Sequence, residues 1–221
     1  MSQLHAMPLL QGLTLQELMK IVEEKLSFDF HTLQADTVMV RQGERGDELH
    51  YIMAGELCSS YTLRNFCIEE RINSGRLIEP TSLMGQKAIY RATYRCVSKV
   101  TYVVFSKKEL FYLLTAYPVV RINLLNLFAR EAQLAREQLQ AYPGQTIEDH
   151  IYSWYRRMCL YPTGRKEVFI RIADFAEELN KGNRALSEAL HGMEKKGMLH
   201  LKRNRTVIPL LEELPHPKFI I

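Results

Sequence analysis

The chain has 221 residues, 47% of them apolar, and a net charge of +4, which suits one or two domains whose cores need no staples. Its four cysteines, Cys58, Cys67, Cys96 and Cys159, contain no Cys-x-x-Cys pair, which argues against a zinc knuckle, a redox motif or a disulfide scaffold. The stretch Met1 to Pro8 has no basic segment leading into an apolar run, and no run is long enough to span a bilayer, so a cytoplasmic protein without a membrane partner is expected.

Leu9 to Leu26 reads as one or two short helices, with Thr14 and Glu17 forming a capping box before Leu18, Ile21 and Val22. From Phe28 to Val104 the pattern changes to short alternating segments: Thr37–Val40, His50–Met53, Leu57–Leu63, Cys67–Ile72, Tyr94–Val97 and Val100–Phe105. Turn signals such as Gln42–Asp47, Ala54-Gly55 and Asn73–Gly75 separate them, which predicts a β-sandwich or jelly-roll barrel. Ser106 caps a helix through Ala116, and Pro118 opens a second one that runs unbroken to Ala141. On it Leu125, Phe128, Ala132, Ala135 and Leu139 fall at heptad positions, and Leu124, Leu127 and Leu134 form a neighbouring stripe. The first stripe is the expected dimer interface and the second the core-facing side; a single wide core stripe is the plainer alternative. Tyr142–Gln145 breaks the helix, and Thr146 with Asp149 starts another carrying Ile151, Trp154 and Tyr155, closed by Tyr161–Gly164.

Phe169 to Val207 carries the most chemistry. Ile172, Phe175, Ala176 and Leu179 form one apolar stripe at helical spacing, Asn180-Lys181-Gly182 interrupts it, and Leu186, Ala189, Leu190 and Met193 form a second. This is the register of a helix-turn-helix, followed by a hairpin from Met198–Leu201 to Thr206–Ile208 with the basic tip Lys202-Arg203-Asn204-Arg205. Gly164 to Arg205 holds ten bases against six acids, so the whole surplus of +4 lies there and the rest of the chain is neutral. That balance fits a phosphate-binding module joined to a separate one, although a solvated surface tolerates it too.

Two motifs in this order carry a family resemblance: Gly43-Glu44-Arg45-Gly46-Asp47 through Gly55-Glu56-Leu57, and the helix-turn-helix with Ala176, Leu179, Leu186, Ser187 and Leu190 in register. Nearly the whole chain resembles the Crp/Fnr family of bacterial transcription regulators. The resemblance implies an α+β protein in three parts. These are an N-terminal cyclic-nucleotide-binding-like jelly-roll sensor at 1–117, a long dimerisation helix at 118–142, and a winged helix-turn-helix at 143–221. It further implies a homodimer that binds double-stranded DNA, answers an effector in its barrel, and engages RNA polymerase. DNA contacts are expected from Lys181, Asn183, Arg184, Ser187, Glu188, Lys202, Arg203 and Arg205.

The sequence departs from the family in two places. Cyclic-nucleotide binders of the family carry a ribose-binding Glu, and Glu79-Pro80-Thr81-Ser82-Leu83-Met84-Gly85-Gln86 has none at the matching place. This argues against cAMP and leaves Met84, Gln86, Arg91 and Arg95 as the effector-pocket residues, with Arg91 or Arg95 for a phosphate. The cofactor is open: haem is the other possibility, with Met53, Met84, His31, His50 and His150 as ligand types. In the recognition helix Asn183 and Glu188 replace family arginines and Arg184 is shifted by one place, so an operator unlike the usual TGTGA-type half-site is expected. Asn180 stands where a turn glycine is common, and Gly182 forfeits a side-chain cap. The alternative function is a ligand-binding regulatory module whose winged helix makes protein contacts. No catalytic residues, no metal site and no enzyme motif are found; Glu23-Glu24, Glu69-Glu70 and Glu212-Glu213 read as solvated faces.

Overall fold

The computed structural model describes residues 6–23, 29–140 and 146–215. In chain order, a 3-10 turn at Pro8–Leu10 leads to helix α1 (Leu15–Glu23) and strands β1 (Asp29–Leu33), β2 (Val38–Val40), β3 (Glu48–Ala54), β4 (Glu56–Leu63), β5 (Phe66–Asn73) and β6 (Arg76–Ile78). Helix α2 (Pro80–Met84), strands β7 (Thr93–Cys96) and β8 (Val100–Ser106), and helices α3 (Lys107–Ala116), α4 (Pro118–Gln140) and α5 (Ile147–Met158) follow. Strand β9 (Lys166–Phe169), helices α6 (Ile172–Leu179) and α7 (Asn183–Lys195), and strands β10 (His200–Lys202) and β11 (Arg205–Ile208) come last. The end of the first helical stretch, to Leu26, and the break at Tyr142–Gln145 lie outside the described residues.

The predicted caps form. Thr14 Oγ1 accepts the Glu17 N–H at 3.2 Å while Glu17 accepts the Thr14 N–H at 2.8 Å. Ser106 with Glu109 and Thr146 with Asp149 make the same reciprocal pair. Each satisfies two amides that the first helical turn leaves without a partner.

The chain divides into two compact units, the first made of Met1–Cys58 and Ile72–Ala132, the second of Ser59–Arg71 and Gln133–Ile221. In the first, an antiparallel sheet has the order β1-β8-β3-β6, and β2 pairs with β7. The sheet does not close into a barrel among the described residues: β1 at one edge and β6 at the other each pair with one neighbour. Gly55 turns β3 into β4 at φ 95°, where an added Cβ would stand 2.9 Å from Val100 Cα, so both its conformation and its space demand glycine.

Leu49, Tyr51, Val103 and Phe105 present one sheet face to Leu18, Ile21, Leu110 and Leu124 of the helices. The two stripes of α4 separate only in part on this core, because Phe128 of the first stripe packs on it beside Leu127 of the second. Leu124 is 5% exposed, whereas Leu125 is 62% exposed and Ile122 55%. Phe128 is half-buried against the same core and Ala132 is exposed.

In the second unit the strands run β10-β11-β9-β5-β4. Strand β9 sits between β11 and β5, with Phe169 opposite both Arg205 and Cys67. Trp154 of α5 packs on Phe175 of α6 at 4.8 Å between ring centroids and on Phe66 at 4.9 Å. Truncating an aromatic at such a centre costs about 3–5 kcal/mol.

Glu70 does not belong to a solvated face. Its side chain and that of Lys166 are both 0% exposed and form an ion pair at 2.8 Å. The carboxylate also accepts the N–H groups of Leu160 and Tyr161 at 2.9 and 3.0 Å, and the Lys166 ammonium donates to Thr163 O at 2.7 Å. Glu69 is half-buried, while Glu23, Glu212 and Glu213 are exposed; Glu24 lies outside the described residues.

Candidate nucleic-acid interface and sensor site

Helix α6 ends at Asn180, whose φ of 52° is the left-handed conformation the sequence predicts, and whose N–H returns to the carbonyls of Ala176 and Glu177. At the front of α6 Arg171 forks onto Asp174 at 2.6 and 2.9 Å, which holds the Asp174 carboxyl below its ordinary range. Helix α7 begins three residues after Asn180. Its Leu186, Leu190 and Met193 are buried, with Ala189 half-buried beside them. On α6 Phe175 and Ala176 are buried and Leu179 half-buried, but Ile172, the first residue of its helix, is 42% exposed.

The opposite face of α7 is open. Arg184 is 93% exposed and Glu188 66%, joined by a hydrogen-bonded ion pair at 2.9 Å across one turn. Asn183 is exposed, and Lys181 and Ser187 are half-buried. An exposed i,i+4 pair is worth about 0.3–0.5 kcal/mol, so it yields readily to a stronger partner. Gly182 supplies no side-chain cap, so the first amides of α7 have no side-chain acceptor.

Strands β10 and β11 form a hairpin with Lys202 opposite Arg205, turned through Arg203 and Asn204 at φ 55°. Lys202 and Arg203 are exposed. Arg205 differs from its neighbours: it is paired with Glu167 and lies over the Phe169 ring at 5.3 Å, so the protein already holds its charge. Lys166, counted in the basic surplus, is likewise buried and neutralised. Because Glu70 lies outside Gly164–Arg205, this pair takes one charge from that stretch's surplus, whereas Glu167, shared by Arg165 and Arg205, is already counted in it.

The four residues expected to form an effector pocket stand in different surroundings within the first unit. Met84 packs on the first unit's core, Gln86 is exposed, and exposed Arg95 donates from Nη1 to Asp36 O at 2.8 Å. Arg91 is exposed too, with its guanidinium 3.8 Å from a carboxylate the sequence reading gave no role, that of Glu79. Glu79 is buried at φ 37°, and its oxygens take hydrogen bonds from Ser82, Tyr94 and two backbone amides. Glu131 of α4 is half-buried nearby; burial raises its pKa, the Arg91 charge lowers it and that of Glu79 raises it.

A cleft of about 600 Å³ lies elsewhere in the first unit, lined by His31, Met39, His50, Tyr90 and Tyr102 with Glu44, Asp47 and Glu48 among its carboxylates. His31 and His50 flank the Tyr102 ring at 5.3 and 5.7 Å. His50 is buried, with Nδ1 3.2 Å from the Tyr90 hydroxyl, and burial together with the His31 charge lowers its pKa to about 4. Of the haem-ligand types named from sequence, only these two histidines share a site. Met53 and Met84 pack on the core, and His150 is half-buried on α5 in the second unit. Among the described residues no group of three or more His, Cys, Asp or Glu side chains is placed to hold a metal ion. All four cysteines are free thiols. No single helix among the described residues is long and apolar enough to cross a membrane.

No protein-family profile matches the sequence, and no curated protein does. Among solved structures the chain is similar to the catabolite activator protein of Thermus thermophilus, at 18% identity over 91% of this chain and 93% of that one, TM-score 0.48. It is similar to the N-terminal domain of a transcriptional regulator from Streptomyces coelicolor A3(2), at 21% identity over 59% and 90%, TM-score 0.47. A Ruegeria pomeroyi protein proposed to bind cyclic nucleotides gives 16% identity over 95% and 92%, TM-score 0.44.

Proposed function

We propose that the chain is a sequence-specific DNA-binding protein whose helix α7 enters the major groove. In this reading α6, the Asn180–Gly182 turn, α7 and the β10–β11 hairpin form a winged helix-turn-helix, and the first unit is a sensor of jelly-roll type. The protein is then a regulator of the Crp/Fnr kind, a cytoplasmic homodimer that acts on RNA polymerase from its operator. The observation that carries this is the two-sidedness of α7. Leu186, Leu190 and Met193 are buried, while Asn183, Arg184 and Glu188 project from its first two turns into solvent.

Those three side chains suit base edges: Arg pairs with guanine, Asn with adenine, and Glu accepts from cytosine. The uncapped amides of α7 and the exposed Lys202 and Arg203 suit phosphates on either side of the groove. Arg205 supports the hairpin through Glu167 and Phe169. For the dimer, Leu125 and Ala132 leave an open stripe on α4, joined by exposed Ala135; the Leu139 side chain lies outside the described residues.

The test is selection of bound sequences from a random duplex pool at low salt, with the DNA upstream of the protein's own gene as a second probe. A single enriched, two-fold symmetric site is expected, weakened by Arg184→Ala and Asn183→Ala. Equal recovery of all sequences would remove the reading.

A further inference from the structure

The Glu79 carboxylate is saturated. Oε2 accepts the Arg91 N–H at 2.8 Å and the Ser82 hydroxyl at 3.1 Å. Oε1 accepts the Ala92 N–H at 3.1 Å and the Tyr94 hydroxyl at 2.8 Å. Two oxygens offer about four lone-pair sites, and four donors meet them. The Arg91 guanidinium adds charge at 3.8 Å, and the Glu79 side chain is only 3% exposed. The donors come from three places in the chain and converge on one planar anion.

The backbone is bent to deliver that anion. Glu79 has φ 37° and ψ 59°, a left-handed conformation in a non-glycine residue, directly before Pro80. Both conditions are unfavourable, and such a residue persists only where its surroundings hold it. Here the surroundings are the four hydrogen bonds.

We propose that Ser82, Arg91, Ala92 and Tyr94 form a carboxylate-binding site in the first unit, and that Glu79 is its tethered occupant. The ligand class is a small monocarboxylate, matched by paired donors on each oxygen. A tethered carboxylate acts at a high effective concentration, so free carboxylates do not displace it from the intact protein. The first unit is thus held in one conformation without an external effector, and the sensor of the proposed regulator is closed from within; that last clause alone rests on the DNA-binding reading.

The test uses Glu79→Gly in the full chain. Glycine removes the carboxylate and accepts the left-handed backbone, and propionate replaces the lost atoms in number and shape. Thermal unfolding is followed with sodium propionate against sodium chloride at equal ionic strength. The wild-type midpoint should not move. Glu79→Gly should start lower and rise by several degrees with saturating propionate, and adding Tyr94→Phe should weaken that response several-fold. Glu79→Gln fills the site with an amide whose NH2 faces donors, so its midpoint should fall and stay down in propionate. If Glu79→Gly does not fold in chloride, recovery of a cooperative transition in propionate is the supporting result. Failure of propionate to act on Glu79→Gly, or an equal effect on the wild type, overturns the proposal. These readings need no DNA, so a protein that ignores DNA would remove the proposed function and leave this site standing.

Discussion

Glu70 of β5 and Lys166 of β9 meet at 2.8 Å with neither side chain reaching solvent. The carboxylate is further bonded by the Leu160 and Tyr161 amides and the ammonium by Thr163 O. Such a pair contributes little over an apolar substitute, yet is costly to break, because the survivor is a charge buried without a counterion.

Glu70→Ala should therefore lower stability by about 3–5 kcal/mol. The double variant Glu70→Leu, Lys166→Met should recover most of the loss. Urea denaturation of both proteins checks this; equal destabilisation by single and double variants would show that the ion pair is not the cause.

The same pair sets where the second unit can be cut. Residues 133–221 alone lack β5, leaving Lys166 without Glu70 and β9 without its neighbour. That fragment should give no cooperative unfolding transition by circular dichroism, whereas the whole chain should.

His50 makes stability depend on pH. Its folded pKa is lowered to about 4 from 6.5, first by burial and then by the His31 charge. Between those values the unfolded chain binds the extra proton, so stability is complete above about pH 6.5 and is lost as pH falls towards 4, by about 3 kcal/mol in all. His50→Gln should flatten the midpoint-against-pH curve in that window. An unchanged slope would move the cause to another group.

On DNA, Glu188→Ala should free Arg184 and change which bases are preferred without abolishing binding. Lys202→Ala with Arg203→Ala should weaken all sequences alike and flatten the salt dependence, by about 0.9 in log–log slope per lost phosphate contact. Electrophoretic titrations over a salt series separate these outcomes; a specificity change from the hairpin variant would contradict the assignment.

If the proposed dimer forms through α4, Leu125→Glu should convert it to a monomer in sedimentation equilibrium while the monomer still unfolds cooperatively. Leu124→Ala, one residue earlier and 5% exposed, should instead cost about 2–5 kcal/mol. A dimer that survives Leu125→Glu would place the interface elsewhere.

Much of this architecture is legible in the sequence because its signals are local. Helical spacing places Phe175 and Leu190 inside, Asn180 marks a left-handed turn, and Thr14, Ser106 and Thr146 each announce a helix three residues before its acidic partner. Strands β1, β6 and β9 are short and show no clean alternation; β9 even buries Lys166 and Glu167. Glu70 looks solvated because its counterion stands about a hundred residues away. Glu79 is hidden for a related reason. Two of its donors are backbone amides, which carry no residue identity, so no motif marks the place where they converge.

The pairing of Cys67 with Phe169 also fixes an order of events during synthesis. Strand β5 leaves the ribosome about a hundred residues before the strand that covers it. Throughout that interval its amides and carbonyls form an unpaired edge, the kind of surface that invites pairing with another nascent chain. A pause in synthesis before Lys166 would prolong that exposure.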